Sequence, residues 1–170
     1  MKRFLHVGAA GVGEDYIGRG FKDGTWEEVS FDLDPSSKPD ILGDMTDMKA
    51  VPSVSFEGIF TSHTIEHLYP DDVRRSFQEF YRVLVPGGLA VIACPDLEAA
   101  AQEIVNGRLL EPAYHADGTP IAPIDLLYGW RGFLAQKEKR EFMVHHTGFT
   151  LPVLLKSLES VGFVSVAGRR

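Results

Sequence analysis

Residues 56–94 read FEGIFTSHTIEHLYPDDVRRSFQEFYRVLVPGGLAVIAC, and the period of the apolar residues changes twice along them. Gly58-Ile59-Phe60-Thr61 is a short apolar run of strand length that ends near Ser62. Val73, Phe77, Phe80 and Leu84 then fall at i, i+4, i+7 and i+11, one face of an amphipathic helix. That helix is predicted to begin near Asp71-Asp72, whose charges favour the helix dipole, and to stop before Pro86-Gly87-Gly88. Leu89 to Cys94 is a second strand-sized run, closed by Pro95. Strand, helix and strand in succession argue for a layered α/β protein with a parallel sheet.

The same alternation extends in both directions. Toward the N-terminus, Phe4 to Val7 ends at Gly8, Trp26 to Leu33 ends at Asp34-Pro35, and Ile41-Leu42 is a short third strand. Toward the C-terminus, Asp96 is placed to cap a helix over Leu97 to Val105, with Asn106-Gly107 as its stop. Another helix is predicted from Thr150, with Leu151, Leu154, Leu155, Leu158 and Val161 as its stripe and Pro152 in its first turn. Gly162 closes it, and Phe163-Val164-Ser165-Val166 reads as a last strand. Gly107 to Gly148 breaks the pattern: it holds Pro112, Pro120 and Pro123 and no sustained period. A stretch of that length inside a compact domain reads as an insertion or lid, and Tyr114, Tyr128, Trp130 and Phe133 argue for order within it.

Composition sets the frame. The 170 residues, 44% hydrophobic and 24% charged, suit one domain over 1–170, large enough to bury a core without disulfides. The single cysteine, Cys94, forms no internal bridge and fits a reducing compartment. Lys and Arg number 17 against 24 Asp and Glu, a net charge of −7 that disfavours nucleic acid. The basic cluster at Lys137-Glu138-Lys139-Arg140-Glu141 is interrupted by acids. No apolar run approaches the ~20 residues of a membrane span, and Met1 to Val7 lacks the form of a signal peptide. The expectation is a cytoplasmic protein without membrane association.

Ligands of open parallel sheets bind beyond the carboxyl ends of the strands. Those positions hold Gly8-Ala9-Ala10-Gly11-Val12-Gly13, Asp32-Leu33-Asp34, Gly43-Asp44-Met45 and Ser62-His63. Asp32 follows Gly8 by 24 residues, the spacing at which an acid meets a ribose hydroxyl pair. Taken singly, the turn is equally a tight loop and the acids equally caps of strand ends. Taken together, they converge on one crevice.

The segments Phe56 to Leu68 and Glu79 to Leu89, above all Arg82-Val83-Leu84-Val85-Pro86-Gly87-Gly88 following His63-x-x-x-His67, resemble the class I S-adenosylmethionine-dependent methyltransferases. The likeness is to a short subgroup related to the methyltransferase type 11 domain, and it spans Phe4 to Pro95 and Thr147 to Val166. It implies a Rossmann-like, mostly parallel sheet with flanking helices, here in a minimal or truncated form. It also implies an exposed sheet edge that a second copy would cover as a homodimer, S-adenosyl-L-methionine as cofactor, and a small-molecule or protein methyl acceptor.

By that resemblance Gly8, Ala9 and Ala10 pass beneath the methionine portion of the cofactor and Asp32, followed by Leu33, grips the ribose hydroxyls. Asp44 receives the adenine amino group, Met45 packs beside the ring, and Ser62 and His63 lie where the methyl faces its acceptor. His63 is the candidate general base, with orientation of its loop as the alternative role. The chain departs from the family pattern at Ala10, at His6 and in a first crossover too short for the usual long helix. Those departures motivate a second reading, a non-catalytic binding or interaction protein. A nicotinamide-binding protein shares the glycine turn and Asp32 but fits Gly43-Asp44-Met45 and Pro86-Gly87-Gly88 poorly.

His63-Thr64-Ile65-Glu66-His67 also satisfies the His-x-x-Glu-His metal spacing. It sits between a strand end and Tyr69-Pro70 rather than inside a long helix, so no metal centre is expected there. His145-His146 is a possible extra ligand pair, but adjacent residues on a strand or helix point in different directions, and the pair reads equally as a loop that packs on the sheet's edge.

Overall fold

A computed structural model describes residues 1–9, 19–116, 118–137 and 140–169. Five strands, β1 (Lys2–Val7), β2 (Trp26–Asp32), β3 (Ile41–Leu42), β4 (Phe56–Ser62) and β5 (Leu84–Ala93), form one sheet in the order β3-β2-β1-β4-β5. Every pairing in it is parallel. The chain therefore winds outward in one direction, returns to the centre and winds outward in the other, which opens a crevice where the direction changes.

Period-two alternation sorts the side chains of β1. Leu5 and Val7 enter the main core, while Phe4 and His6 face the other way. Helix α1 (Pro70–Val83) covers the main face with Val73, Phe77, Phe80 and Val83, all buried. Full burial of an aromatic of this size contributes about 1.5–3 kcal/mol, so Phe77 and Phe80 anchor the helix. Helix α6 (Leu151–Glu159) adds Leu154 and Leu158 to the same core. The opposite face carries a smaller aromatic cluster in which Phe21 stacks on Phe4, with ring centroids 4.5 Å apart. His6 is buried beside it, with Nδ1 2.7 Å from Glu28 Oε1 on the adjacent strand. At His6, where the chain departs from the pattern it resembles, an imidazole thus stands with a carboxylate partner.

Helix α2 (Leu97–Val105) starts as its sequence predicts: the Asp96 carboxylate accepts the Glu98 N–H at 3.0 Å. Two expectations need correction. Strand β5 begins at Leu84, directly after α1, rather than at Leu89. Phe56 pairs with Leu84 and Gly58 with Leu89, so Pro86-Gly87-Gly88 forms a bulge inside the strand, with Gly87 at φ +79°. Phe163 to Val166 forms no strand. Ser165 adopts φ +55°, which breaks an extended run, and Phe163 and Val166 turn inward onto the main core instead. Phe163 meets Tyr81 edge-on at 5.5 Å.

Gly107 to Gly148 contains ordered elements. A hairpin of β6 (Tyr114–Ala116) and β7 (Thr119–Ile121) leads into three short helices, α3 (Pro123–Tyr128), α4 (Arg131–Leu134) and α5 (Arg140–Met143). Within the described part of the first crossover, Arg19–Phe21 is a single 3-10 turn, while Ala10 to Gly18 lies outside the described residues. No helix among the described residues is long and apolar enough to cross a membrane.

Candidate functional site

The sheet register brings the predicted strand ends together. Val7 stands opposite Phe31 on one side and Thr61 on the other, Asp32 opposite Leu42, and Ser62 opposite Ala93. Backbone hydrogen bonds extend the edge by one residue: Gly8 N donates to Phe31 O, Gly43 N to Asp32 O and His63 N to Ala93 O, at 2.9–3.0 Å. Gly8, Asp32, Gly43 and His63 thus form one continuous rim.

Gly8 has φ +75°, and a Cβ there would stand 2.3 Å from Thr64 Oγ1. Glycine is therefore required both by the backbone conformation and by the loop after β4 that packs against it. Ala9 is half-buried beside it, and Ala10 lies outside the described residues. Asp32 is buried, and its Oδ1 accepts the Asp34 N–H at 2.8 Å. Leu33 is exposed. Asp44 is exposed and bends its own loop by accepting the Thr46 N–H at 2.8 Å. Met45 is half-buried and rests on the main core, and Ser62 is half-buried at the end of β4.

What fixes the loop after Asp44 is a pair of residues that carried no assigned role in the sequence. Glu79 accepts the Met48 N–H at 2.7 Å and is clamped by Arg82 through two hydrogen bonds of 2.8 Å. Arg82 also donates to Val51 O at 3.0 Å and Met48 O at 2.9 Å. The guanidinium beside Glu79 holds that carboxyl below the usual carboxylate range. The arginine of the Arg-Val-Leu-Val-Pro-Gly-Gly phrase is therefore a staple for the rim.

The second half of the site lies under 107–148. A cavity of about 340 Å³ has apolar walls that include Tyr114, Leu126, Trp130 and Phe133. His63, Glu66, His67 and His145 supply its polar groups. His63 is the first residue past β4, in the left-handed region at φ +52°, a strained setting that occurs most often at functional positions. Its side chain is 58% exposed and its Nδ1 stands 3.4 Å from Glu66 Oε1. Interaction with Glu66 raises the imidazole's pKa above its ordinary value, against the opposite effect of burial.

The insertion is attached to this loop by its own backbone. His146 N and Thr147 N both donate to Glu66 O, at 3.0 and 3.1 Å, and His67 Nδ1 meets Val144 O at 3.1 Å. The His146 ring stacks on Tyr69 at 4.0 Å. Within the insertion, Asp125 receives the Ala122 N–H at 2.9 Å and Arg131 Nε at 2.7 Å. Burial pushes the Asp125 carboxyl upward, but Arg131 and these N–H donors outweigh it and the group sits below its ordinary pKa. Cys94, directly after β5, is no thiolate: burial, with Glu66 and Asp96 nearby, pushes its pKa up to about 12.

Comparison with known proteins agrees with this architecture. A family model described as a methyltransferase domain matches residues 18–92. The fold resembles a methyltransferase from Archaeoglobus fulgidus described as SAM-dependent, at 18% identity and TM-score 0.56, covering 96% of this chain and 62% of that one. It also resembles an S-adenosylmethionine-dependent methyltransferase from Mesorhizobium loti, at 20% identity and TM-score 0.59, covering 96% and 74%. A third likeness is the 1,6-didemethyltoxoflavin-N1-methyltransferase of Burkholderia thailandensis, solved with its substrate and S-adenosylhomocysteine, at 15% identity and TM-score 0.58, covering 99% and 63%. The chain thus spans less than two thirds of the first and third of these structures. No curated protein sequence matches it.

Proposed function

We propose, from a chain that carries the class I S-adenosylmethionine-dependent methyltransferase fold, that it binds S-adenosylmethionine along the β1–β4 rim and methylates an acceptor in the adjoining cavity. The observation that supports this best is the juxtaposition of the Gly8-Asp32-Asp44 rim with a cavity whose floor begins at His63. The donor chemistry of the rim fits the cofactor. The Asp32 carboxylate suits a vicinal diol through charge-assisted hydrogen bonds, and exposed Asp44 suits an amino group. Gly8 and Ala9 would pass beneath the methionine portion, Leu33 and Met45 would flank the adenine, and Ser62 would close the methyl end.

The cofactor supplies a methyl group on a sulfonium with a good leaving group, so positioning and exclusion of water carry much of the rate. The insertion 107–148 serves as the lid, and its aromatic walls favour a small-molecule acceptor over a protein segment. His63 is placed to accept a proton from an oxygen or nitrogen acceptor, and Glu66 stabilises the imidazolium that results.

Calorimetric titration with S-adenosylhomocysteine tests the reading. Saturable binding is expected, weakened in Asp32→Ala by about 30-fold, the loss of roughly 2 kcal/mol from charge-assisted hydrogen bonds. Absence of binding at millimolar ligand, or unchanged affinity in the variant, overturns it.

A further inference from the structure

We propose that Glu66, His67 and His145 form a binding site for a divalent transition-metal ion of the Zn²⁺ type at the floor of the cavity. One donor atom from each residue lies within 4.8 Å of the others. Four-coordinate zinc places its ligands closer than that, with bonds of about 2.0–2.2 Å, so a small inward movement of the rings completes the shell.

Three further observations favour an ion. Glu66 is 1% exposed, and neither oxygen of its carboxylate has a hydrogen-bond partner. An isolated buried carboxylate is costly unless it is paired or coordinates a metal. Its ion pair with the His63 imidazole, at 3.4 Å to Oε1, is longer than a normal charge-assisted hydrogen bond and leaves Oε2 without a partner.

The two histidines are also oriented as ligands. His67 Nδ1 lies 3.1 Å from Val144 O and His145 Nδ1 lies 2.9 Å from Leu126 O. A carbonyl oxygen only accepts, so each ring must carry a proton on Nδ1 and, as a neutral imidazole, presents Nε2 as a bare lone pair. Metal-binding imidazoles are held in this way by a second hydrogen bond that fixes the tautomer.

The donor set completes the case. Two imidazoles and one carboxylate suit Zn²⁺ and its neighbours better than Mg²⁺ or Ca²⁺, which prefer oxygen alone. Three protein ligands leave a fourth position, and all three residues line the cavity, so that position faces it. The third ligand comes from His145-His146, the pair that the sequence offers only as a possible extra. The insertion supplies it through His146 N and Thr147 N, which tie the chain beside His145 to Glu66 O.

The test uses the full chain, stripped with a chelator and then titrated with Zn²⁺ by calorimetry and with Co²⁺ by visible absorption. One ion per chain is expected, with a d–d band in the Co²⁺ form and a rise in Tm on adding Zn²⁺. Glu66→Gln and His145→Ala, each checked for folding by circular dichroism, should weaken binding by about 100-fold or more and abolish the rise. His115→Ala, on the exposed hairpin, should change nothing. Absence of saturable binding at tens of micromolar ion, or wild-type affinity in the folded variants, overturns the site. The outcome is independent of the methyl-transfer reading, which S-adenosylhomocysteine probes on the rim.

Discussion

The two banks of the crevice are built on opposite principles. On the β1–β3 side, Asp32 and Asp44 each accept a backbone N–H two residues further on, from Asp34 and Thr46. On the β4–β5 side, Glu66 is buried with no hydrogen-bond partner, and its surroundings arrive from 107–148. The carboxylates of the first bank are thus set by local turns, with Glu79 and Arg82 of α1 fixing the loop behind Asp44. The second exists only when distant segments meet.

That difference can be broken most forcefully where the banks touch. Gly8→Ala places a methyl on Thr64 and forces an unfavourable φ, so a loss of about 3 kcal/mol in urea unfolding is expected. Thr64→Ala in the same background should recover part of it. A full-strength Gly8→Ala chain would show that the banks do not pack as described. Next in size, Arg82→Lys removes a fork that holds Val51 O, Met48 O and Glu79 together. A cost of about 1–2 kcal/mol is expected, with weaker S-adenosylhomocysteine binding because the loop after Asp44 loosens. An effect on the metal titration instead would place Arg82 in the wrong bank.

The smallest effect sharpens the comparison on the insertion side. Asp125 has its folded pKa held below the ordinary value, so its contribution is present above that value and disappears as pH falls through the folded one. Asp125→Asn should therefore cost about 1 kcal/mol at pH 7 in urea unfolding, and the gap to the natural chain should begin to narrow below about pH 4. A gap that stays the same from about pH 7 to about pH 3 would mean that the charge of Asp125 is not what holds α3 to α4.

Legibility followed the same division. The cap at Asp96, the face of α1 and the strand ends at Gly8, Asp32 and Ser62 were readable because period, capping and turn chemistry act over a few residues. The last strand was misread because an apolar run of four cannot reveal a left-handed Ser165, nor that Phe163 packs on Tyr81. Pro86-Gly87-Gly88 reads in the sequence as the stop of a helix, whereas its pairing with β4 makes it a bulge inside β5.

The sequence by itself determined the parallel sheet and the edge at which sheets of this kind bind ligands, since the apolar patterns and glycine positions that specify them are local. Only the tertiary structure decided the chemistry beside that edge. His67 and the carbonyl that orients it, Val144 O, are 77 residues apart. The meeting of Glu66 with His145 likewise depends on backbone hydrogen bonds across the insertion, which no spacing in the sequence encodes.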